Sequence, residues 1–155
     1  MNIRKATVED IDILIRLRID YLVTDNGNLA KDEETAIRSQ LATYFPKHIN
    51  DDFIAILAEK DSNVVSTAFL AISEKPANPA FITGKTGTLL NVLTYPEYRR
   101  KGLATRVVSL LIEEARKSGV SSIDLSATQD GKPLYEKLGF TEPKSEYTAM
   151  KLQLI

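Results

Sequence analysis

The chain has 155 residues, enough for one hydrophobic core, and combines 43% apolar with 26% charged residues without a low-complexity tract. Twenty basic against twenty-one acidic residues leave a formal charge of −1, which excludes a global field drawing the molecule onto nucleic acid or an anionic membrane. The absence of cysteine excludes disulfides, thiolate metal sites and a covalent acyl-cysteine, and no metal is expected. Met1 to Asp10 holds no apolar stretch of signal-peptide length, and no run approaches the roughly 20 residues of a bilayer span, so a single domain over 1–155 in the cytoplasm is expected.

Asn2 to Ala6 reads as a first strand, and Thr7 caps a helix whose first turn carries acidic residues, complementing its dipole. Ile11, Leu14, Ile15, Arg18 and Leu22 share one face of that helix, which Asp25-Asn26-Gly27-Asn28 breaks. Lys31 to Tyr44 makes a second, more polar helix with Ile37, Leu41 and Tyr44 in phase, closed by Pro46. Phe53 to Ala58 and Val64 to Ile72 are strand-forming runs joined by a turn, a hairpin. Glu74 to Thr86, with Pro76, Pro79 and Gly84, has no period and reads as a loop long enough to suspect a role at a ligand site.

Gly87 to Thr94 is the next strand. Leu103, Val107, Leu110, Leu111 and Ala115 then recur at helical spacing through Lys117, with Ser118-Gly119 as the stop. Ser122 to Ala127 is a strand, Pro133 to Leu138 a short helix ended by Gly139, and Tyr147 to Leu154 alternates as a final strand. The order implies a mixed α/β sheet with helices on its faces.

Arg99-Arg100-Lys101-Gly102-Leu103-Ala104-Thr105, between a strand and the strongest helix, is the segment that points to chemistry. A helix N-terminus offers unpaired N–H groups and about half a positive charge, and Gly102 with small Ala104 lets a bulky anion approach them. A phosphate there would gain roughly 0.3 to 1 kcal/mol from the dipole, beyond the charge-assisted hydrogen bonds. The plain alternative is a solvated polar turn. Gly84-Lys85-Thr86 is not the end of a P-loop, because Pro79 occupies the earlier glycine position and no helix follows. No G-x-G-x-x-G follows a strand either.

At these residues the chain resembles the GNAT superfamily of acyl-CoA-dependent N-acetyltransferases. The family's cofactor motif is Gln or Arg, two residues, Gly, one residue, then Gly or Ala, and Arg99 to Ala104 fits every fixed position. Thr94-Tyr95-Pro96-Glu97-Tyr98 is similar to the usual lead into that loop, and Pro133-Leu134-Tyr135-Glu136-Lys137-Leu138-Gly139-Phe140 looks like the second signature.

The resemblance implies a mostly antiparallel sheet of six to seven strands, helices on both faces and a splayed central pair. It implies acetyl-CoA as co-substrate, its pyrophosphate on the backbone of Arg99, Arg100, Lys101, Gly102, Leu103, Ala104 and Thr105. Val92, Leu93 and Thr94 would then hold the pantetheine arm, with the Leu93 amide as oxyanion donor, a role worth about 2.7 to 4 kcal/mol elsewhere. Tyr135 matches the tyrosine that protonates the departing thiolate; its alternative role is packing beside Leu134 and Phe140. Where the family often has Asn, this chain has Ala127-Thr128-Gln129-Asp130-Gly131.

An alkylamine of pKa about 10.4 must lose a proton before it attacks, and Glu33, Glu34, Glu74 and His48 are the conceivable bases. His48, the only histidine, reads as an exposed turn residue. Without a cysteine or a nucleophile–base pair, transfer to a small-molecule or peptide amine should be direct, in a ternary complex. Leu22 to Lys31 and Glu74 to Thr86 would shape the acceptor pocket. A non-catalytic acyl-CoA-binding module of the same fold is the alternative. A nucleic-acid role for Arg99, Arg100 and Lys101 is excluded by the smallness of the patch. The final strand has an edge that can pair with a second copy, so a homodimer is an expected arrangement.

Overall fold

The run Phe53 to Ala58 is apolar at every position, the pattern of a strand covered on both sides, and its alternate residues enter two different cores. In the computed structural model, which describes residues 1–155, Phe53, Ala55 and Leu57 join one core, and Ile54, Ile56 and Ala58 join the other. The elements are β1 (Asn2–Lys5), α1 (Ile11–Asn26), α2 (Lys31–His48), β2 (Phe53–Lys60), β3 (Asn63–Glu74), β4 (Lys85–Thr94), α3 (Leu103–Lys117), β5 (Ser122–Asp124) and α4 (Lys132–Lys137). The sheet runs β1-β2-β3-β4-β5, antiparallel except for the parallel β4–β5 pair. Leu14, Leu17, Leu41 and Phe45 of α1 and α2 cover one face. Val107, Val108, Leu111 and Ala115 of α3 cover the other.

The sheet has five strands rather than six or seven. Tyr147 to Leu154 forms none, because no neighbouring strand takes up its backbone groups and its side chains are exposed. The run Ser122 to Ala127 yields only the three residues of β5.

The second helix also runs past its expected stop and ends at His48, with Pro46 in its last turn. A proline there removes one backbone hydrogen bond near the end, while the buried Phe45 ring and the Ile49 N–H on the Phe45 carbonyl hold the turn together. No helix is long and apolar enough to cross a membrane.

The start of α1 is fixed by a charged knot. Thr7 caps the turn before it, and buried Asp10 accepts from the Thr7 N–H at 2.8 Å and from both terminal nitrogens of Arg4 at 2.8 Å. The Arg4 guanidinium therefore holds the Asp10 carboxyl below its ordinary 3.8. A depressed folded-state pKa means that this stability is complete above 3.8 and is lost as pH falls below it toward the folded value. The melting temperature of the native chain should accordingly drop below about pH 4, whereas Asp10→Asn should start lower, by about 1.5–3 kcal/mol, and vary less over that range. Melts from pH 7 down to pH 2 check this.

Candidate active site

β4 and β5 touch only where Thr86, Gly87 and Thr88 face Ser122, Ile123 and Asp124. Beyond that point they part, leaving Leu89 to Thr94 without a strand on that side. β4 is also bulged against β3: the register slips between Thr67 and Phe69, and Asn91 adopts a φ of 56°. Asparagine tolerates that left-handed geometry better than other side chains with a Cβ. Here its amide is anchored, donating to the Leu17 carbonyl at 3.4 Å and accepting from Arg18 at 3.2 Å. The bulge and the parted strands open a cleft of about 490 Å³.

After β4 the chain makes a 3-10 turn over Pro96–Tyr98 and enters α3 through two left-handed residues, Arg100 at φ 62° and Gly102 at φ 75°. No N–H from Arg100 to Thr105 has an acceptor in the chain; the first helical bond is Arg106 N–H to the Gly102 carbonyl. A Cβ built on Gly102 would meet nothing within 4 Å, and Arg100, Gly102, Leu103, Ala104 and Thr105 line the open cleft. Such a row of free donors at a helix start, with arginines beside it, fits a pyrophosphate.

The expected residues Val92, Leu93, Thr94, Arg99, Arg100, Gly102, Leu103, Ala104 and Thr105 all line the cleft, and Tyr135 lines its other wall. Lys101 does not: its ammonium lies 5.7 Å from the centre of the Tyr98 ring. Arg99 folds back, donating from Nε to the Thr94 carbonyl at 3.0 Å, and thereby ties the loop to the end of β4.

Strand geometry redirects one assignment. The Tyr95 N–H donates to the Val65 carbonyl at 3.0 Å, and Leu93 lies opposite Thr67, so alternation turns the Leu93 amide toward β3 as well. The amides that turn toward the parted side of β4 are those of Val92 and Thr94. Thr94 is held there by its hydroxyl, 2.8 Å from that of Ser66.

Tyr135 on α4 packs edge-on against Phe140, with ring centres 5.9 Å apart, while its hydroxyl has no partner in the chain. Burial pushes its pKa above the ordinary 10.0, with nearby Tyr21 adding to the effect, so the hydroxyl keeps its proton at neutral pH. Thr24 and Asp25, within the Leu22 to Lys31 stretch expected at the acceptor pocket, line the cleft, and so does Tyr21 of α1, which the sequence reading did not include. Tyr21 stands one helical turn after buried Leu17, a signal in the α1 periodicity. Tyr95 pins this helix to the end of β4 by donating to Asp20 at 2.6 Å; burial foremost pushes its pKa up to about 12.

None of the expected bases reaches the cleft. Glu33 caps the start of α2, Glu34 pairs with Arg38, and Glu74 is exposed at the end of β3. His48 is a helical residue that stacks on Tyr44 and contacts Asp52 at 2.6 Å, not an exposed turn residue. Asp25 is the one carboxylate lining the cleft.

The loop between β3 and β4 lies at the end of β4 remote from Thr94, tied to Ser121 through Thr83, and lines no part of the cleft. A second cavity of about 400 Å³ adjoins the cleft through Leu90; Arg18, Leu22, Gln40, Tyr44 and Phe53 are among its walls. Arg18 uses one donor on Asn91 and has no carboxylate within salt-bridge distance, and burial lowers its pKa.

The model of the acetyltransferase (GNAT) family matches residues 19–140. A rice (Oryza sativa subsp. japonica) protein described as a glucosamine 6-phosphate N-acetyltransferase is 30% identical over 98 residues; the match covers 61% of this chain and 57% of the rice protein. The chain thus spans little more than half of that relative. A Bacillus subtilis (strain 168) protein described as an acetyltransferase is 26% identical over 95% of this chain and 88% of its own. Among solved structures, an acetyltransferase from Clostridium acetobutylicum with acetyl-CoA superposes at a TM-score of 0.84 with 29% identity, covering 97% of this chain and 95% of that one. The family match runs from α1 through both walls of the cleft, and on that ground this chain belongs to the GNAT acetyltransferase family.

Proposed function

We propose that the chain transfers the acetyl group of acetyl-CoA directly to a primary amine held where the cleft meets the cavity between α1 and α2. The observation that carries this reading is the row of six unpaired amides from Arg100 to Thr105, five of whose residues line the cleft. In this reading those amides bind the pyrophosphate, and the Val92 and Thr94 amides, rather than that of Leu93, hold the pantetheine arm and the thioester oxygen. Negative charge develops on that oxygen as the amine attacks, so a fixed donor aimed at it lowers the barrier.

Tyr135 gives its proton to the departing sulfur. Asp25, directly or through water, takes the amine proton. With no cysteine in the chain, the acetyl group passes in one step between the two bound partners.

Arg18 narrows the acceptor. A partly buried guanidinium with no carboxylate partner is costly, and an anionic group on the incoming amine offsets that cost with charge-assisted hydrogen bonds. An amine bearing a phosphate or carboxylate fits this cavity better than a neutral one, in keeping with the phosphorylated amino sugar in the rice relative's description. Nothing in the site favours a non-catalytic module.

Calorimetric titration with acetyl-CoA, CoA and ATP tests the first half. The expected result is binding of acetyl-CoA and CoA with no response to ATP. Thiol release with paired amines, with and without an anionic group, tests the second; the anionic member should show a KM lower by about tenfold or more, as one charge-assisted contact would give. No acetyl-CoA binding would sink the reading, and equal KM values would remove Arg18 from it.

A further inference from the structure

The cavity that adjoins the cleft is walled almost wholly by carbon. α1 lends it Arg18 and Leu22, one helical turn apart, and α2 lends it Gln40, Leu41 and Tyr44. Its floor is the sheet. Phe53 of β2, Phe69 and Ala71 of β3 and Leu90 of β4 lie side by side there, because Phe53 pairs with Ala71 and Phe69 with Leu90. The rings of Tyr44, Phe45, Phe53 and Phe69 meet mostly edge to face, with neighbouring centres 5.2 to 6.1 Å apart. Apart from the Tyr44 hydroxyl, the only polar side chains on the cavity are Arg18 and Gln40. Protein interiors close without voids much larger than a water molecule, so about 400 Å³ of such space beside the cleft is room for a ligand.

The order of the groups along this space narrows that ligand. Arg18 stands at the junction: it lines the cavity, and its guanidinium donates at 3.2 Å to the side chain of Asn91, which lines the cleft. Tyr44 and Phe53 line the cavity alone. An acceptor whose amine lies in the cleft therefore meets first a cation and then carbon. Its anion sits close to its amine, and its apolar part lies beyond both. Of the two anions that suit Arg18, this order favours a carboxylate. In an amino-sugar phosphate the hydroxylated ring separates amine from anion, and against these walls most of its hydroxyls would lose water without gaining a partner.

We infer that the acceptor is an α-amino acid with a large apolar side chain, its carboxylate on Arg18, its amino group toward the thioester in the cleft and its side chain against Tyr44 and Phe53. The inference rests on the transfer reading proposed above and narrows its acceptor to one class. The amino nitrogen bonds to the acetyl carbon as the carbon–sulfur bond breaks. Of the two protons that the ammonium loses, one accounts for the CoA thiol and the other goes to solvent. The products are the N-acetyl amino acid and free CoA.

Two assays on the full chain keep this inference apart from the reading beneath it. Calorimetry with acetyl-CoA tests the reading by itself. Thiol release is then followed with L-phenylalanine, L-leucine, L-alanine, L-glutamate, phenethylamine and glucosamine 6-phosphate. The expected kcat/KM for phenylalanine or leucine exceeds that for alanine, glutamate and phenethylamine by about tenfold or more, and that for glucosamine 6-phosphate by about a hundredfold or more. Tyr44→Ala, with its fold verified by a melting curve, should shrink the phenylalanine-to-alanine ratio by about tenfold. If that protein does not fold, Leu22→Asn on the facing helix reads the same ratio. Acetyl-CoA binding without release from phenylalanine or leucine would overturn the inference and leave the transfer reading standing. So would a preference for glutamate, phenethylamine or the amino sugar, or a ratio that the folded variant does not move. Absence of acetyl-CoA binding would remove both.

Discussion

Gly102→Val is expected to weaken acetyl-CoA binding at least about a hundredfold, or about 2.7 kcal/mol, while α3 stays folded. The residue sits at φ 75° as the last position before the helix, with nothing within 4 Å of where a Cβ would stand. The substitution therefore meets no clash inside the chain, and its cost arises in two other ways. A β-branched residue at positive φ carries strain of about 1–3 kcal/mol. If the loop bears that strain, the side chain stands in the open space before the amides; if the loop relaxes, the amides turn away.

Either outcome removes the donors that a pyrophosphate needs. Gly102→Ala should fall between the two proteins, since its smaller side chain is strained but blocks less. Calorimetry with acetyl-CoA reads the effect, and a melting curve verifies the fold. An unchanged affinity in a folded Gly102→Val protein would take the loop out of the site.

The features legible in the sequence were those with a local cause. The amphipathic stripe from Leu103 to Ala115 and the glycine before it marked α3 and its open N-terminus, and buried Val107, Leu111 and Ala115 fulfil that pattern. The apolar run from Phe53 to Ala58 marked a strand, and the structure covers it on both faces. What escaped depends on groups distant in sequence. Pro46 reads as a stop because its missing N–H is local, while the Phe45 packing that carries the helix on to His48 is tertiary.

The bulge at Asn91 rests on Leu17 and Arg18, more than seventy residues away. No periodicity in β4 announces it, and with it goes the direction in which the Val92, Leu93 and Thr94 amides turn. Tyr21 was hidden for a related reason. It enters the cleft only because Asp20 and Tyr95 clamp α1 against the end of β4. Tyr147 to Leu154 shows the converse: the alternation of a strand is present, but a strand exists only when a neighbour supplies the hydrogen bonds.

Tyr135→Phe should lower kcat by about ten- to a hundredfold near neutral pH and leave acetyl-CoA affinity within about twofold, a split that packing alone would not produce. The hydroxyl has no partner in the chain, so its loss should change stability by less than about 0.5 kcal/mol. The sign of the pH dependence follows from the two pKa values involved. Burial raises that of Tyr135 above 10.0, so the wild-type tyrosine carries its proton throughout the neutral range. The departing thiol, with a pKa of about 8.5, needs that proton most below this value and progressively less above it. The gap in kcat between the two proteins should therefore be widest near pH 7 and narrow toward pH 9.5. Steady-state thiol release with a fixed amine, over a pH series and corrected for amine ionisation, measures it. Equal kcat at every pH would make Tyr135 a packing residue against Phe140, with the thiolate leaving unaided.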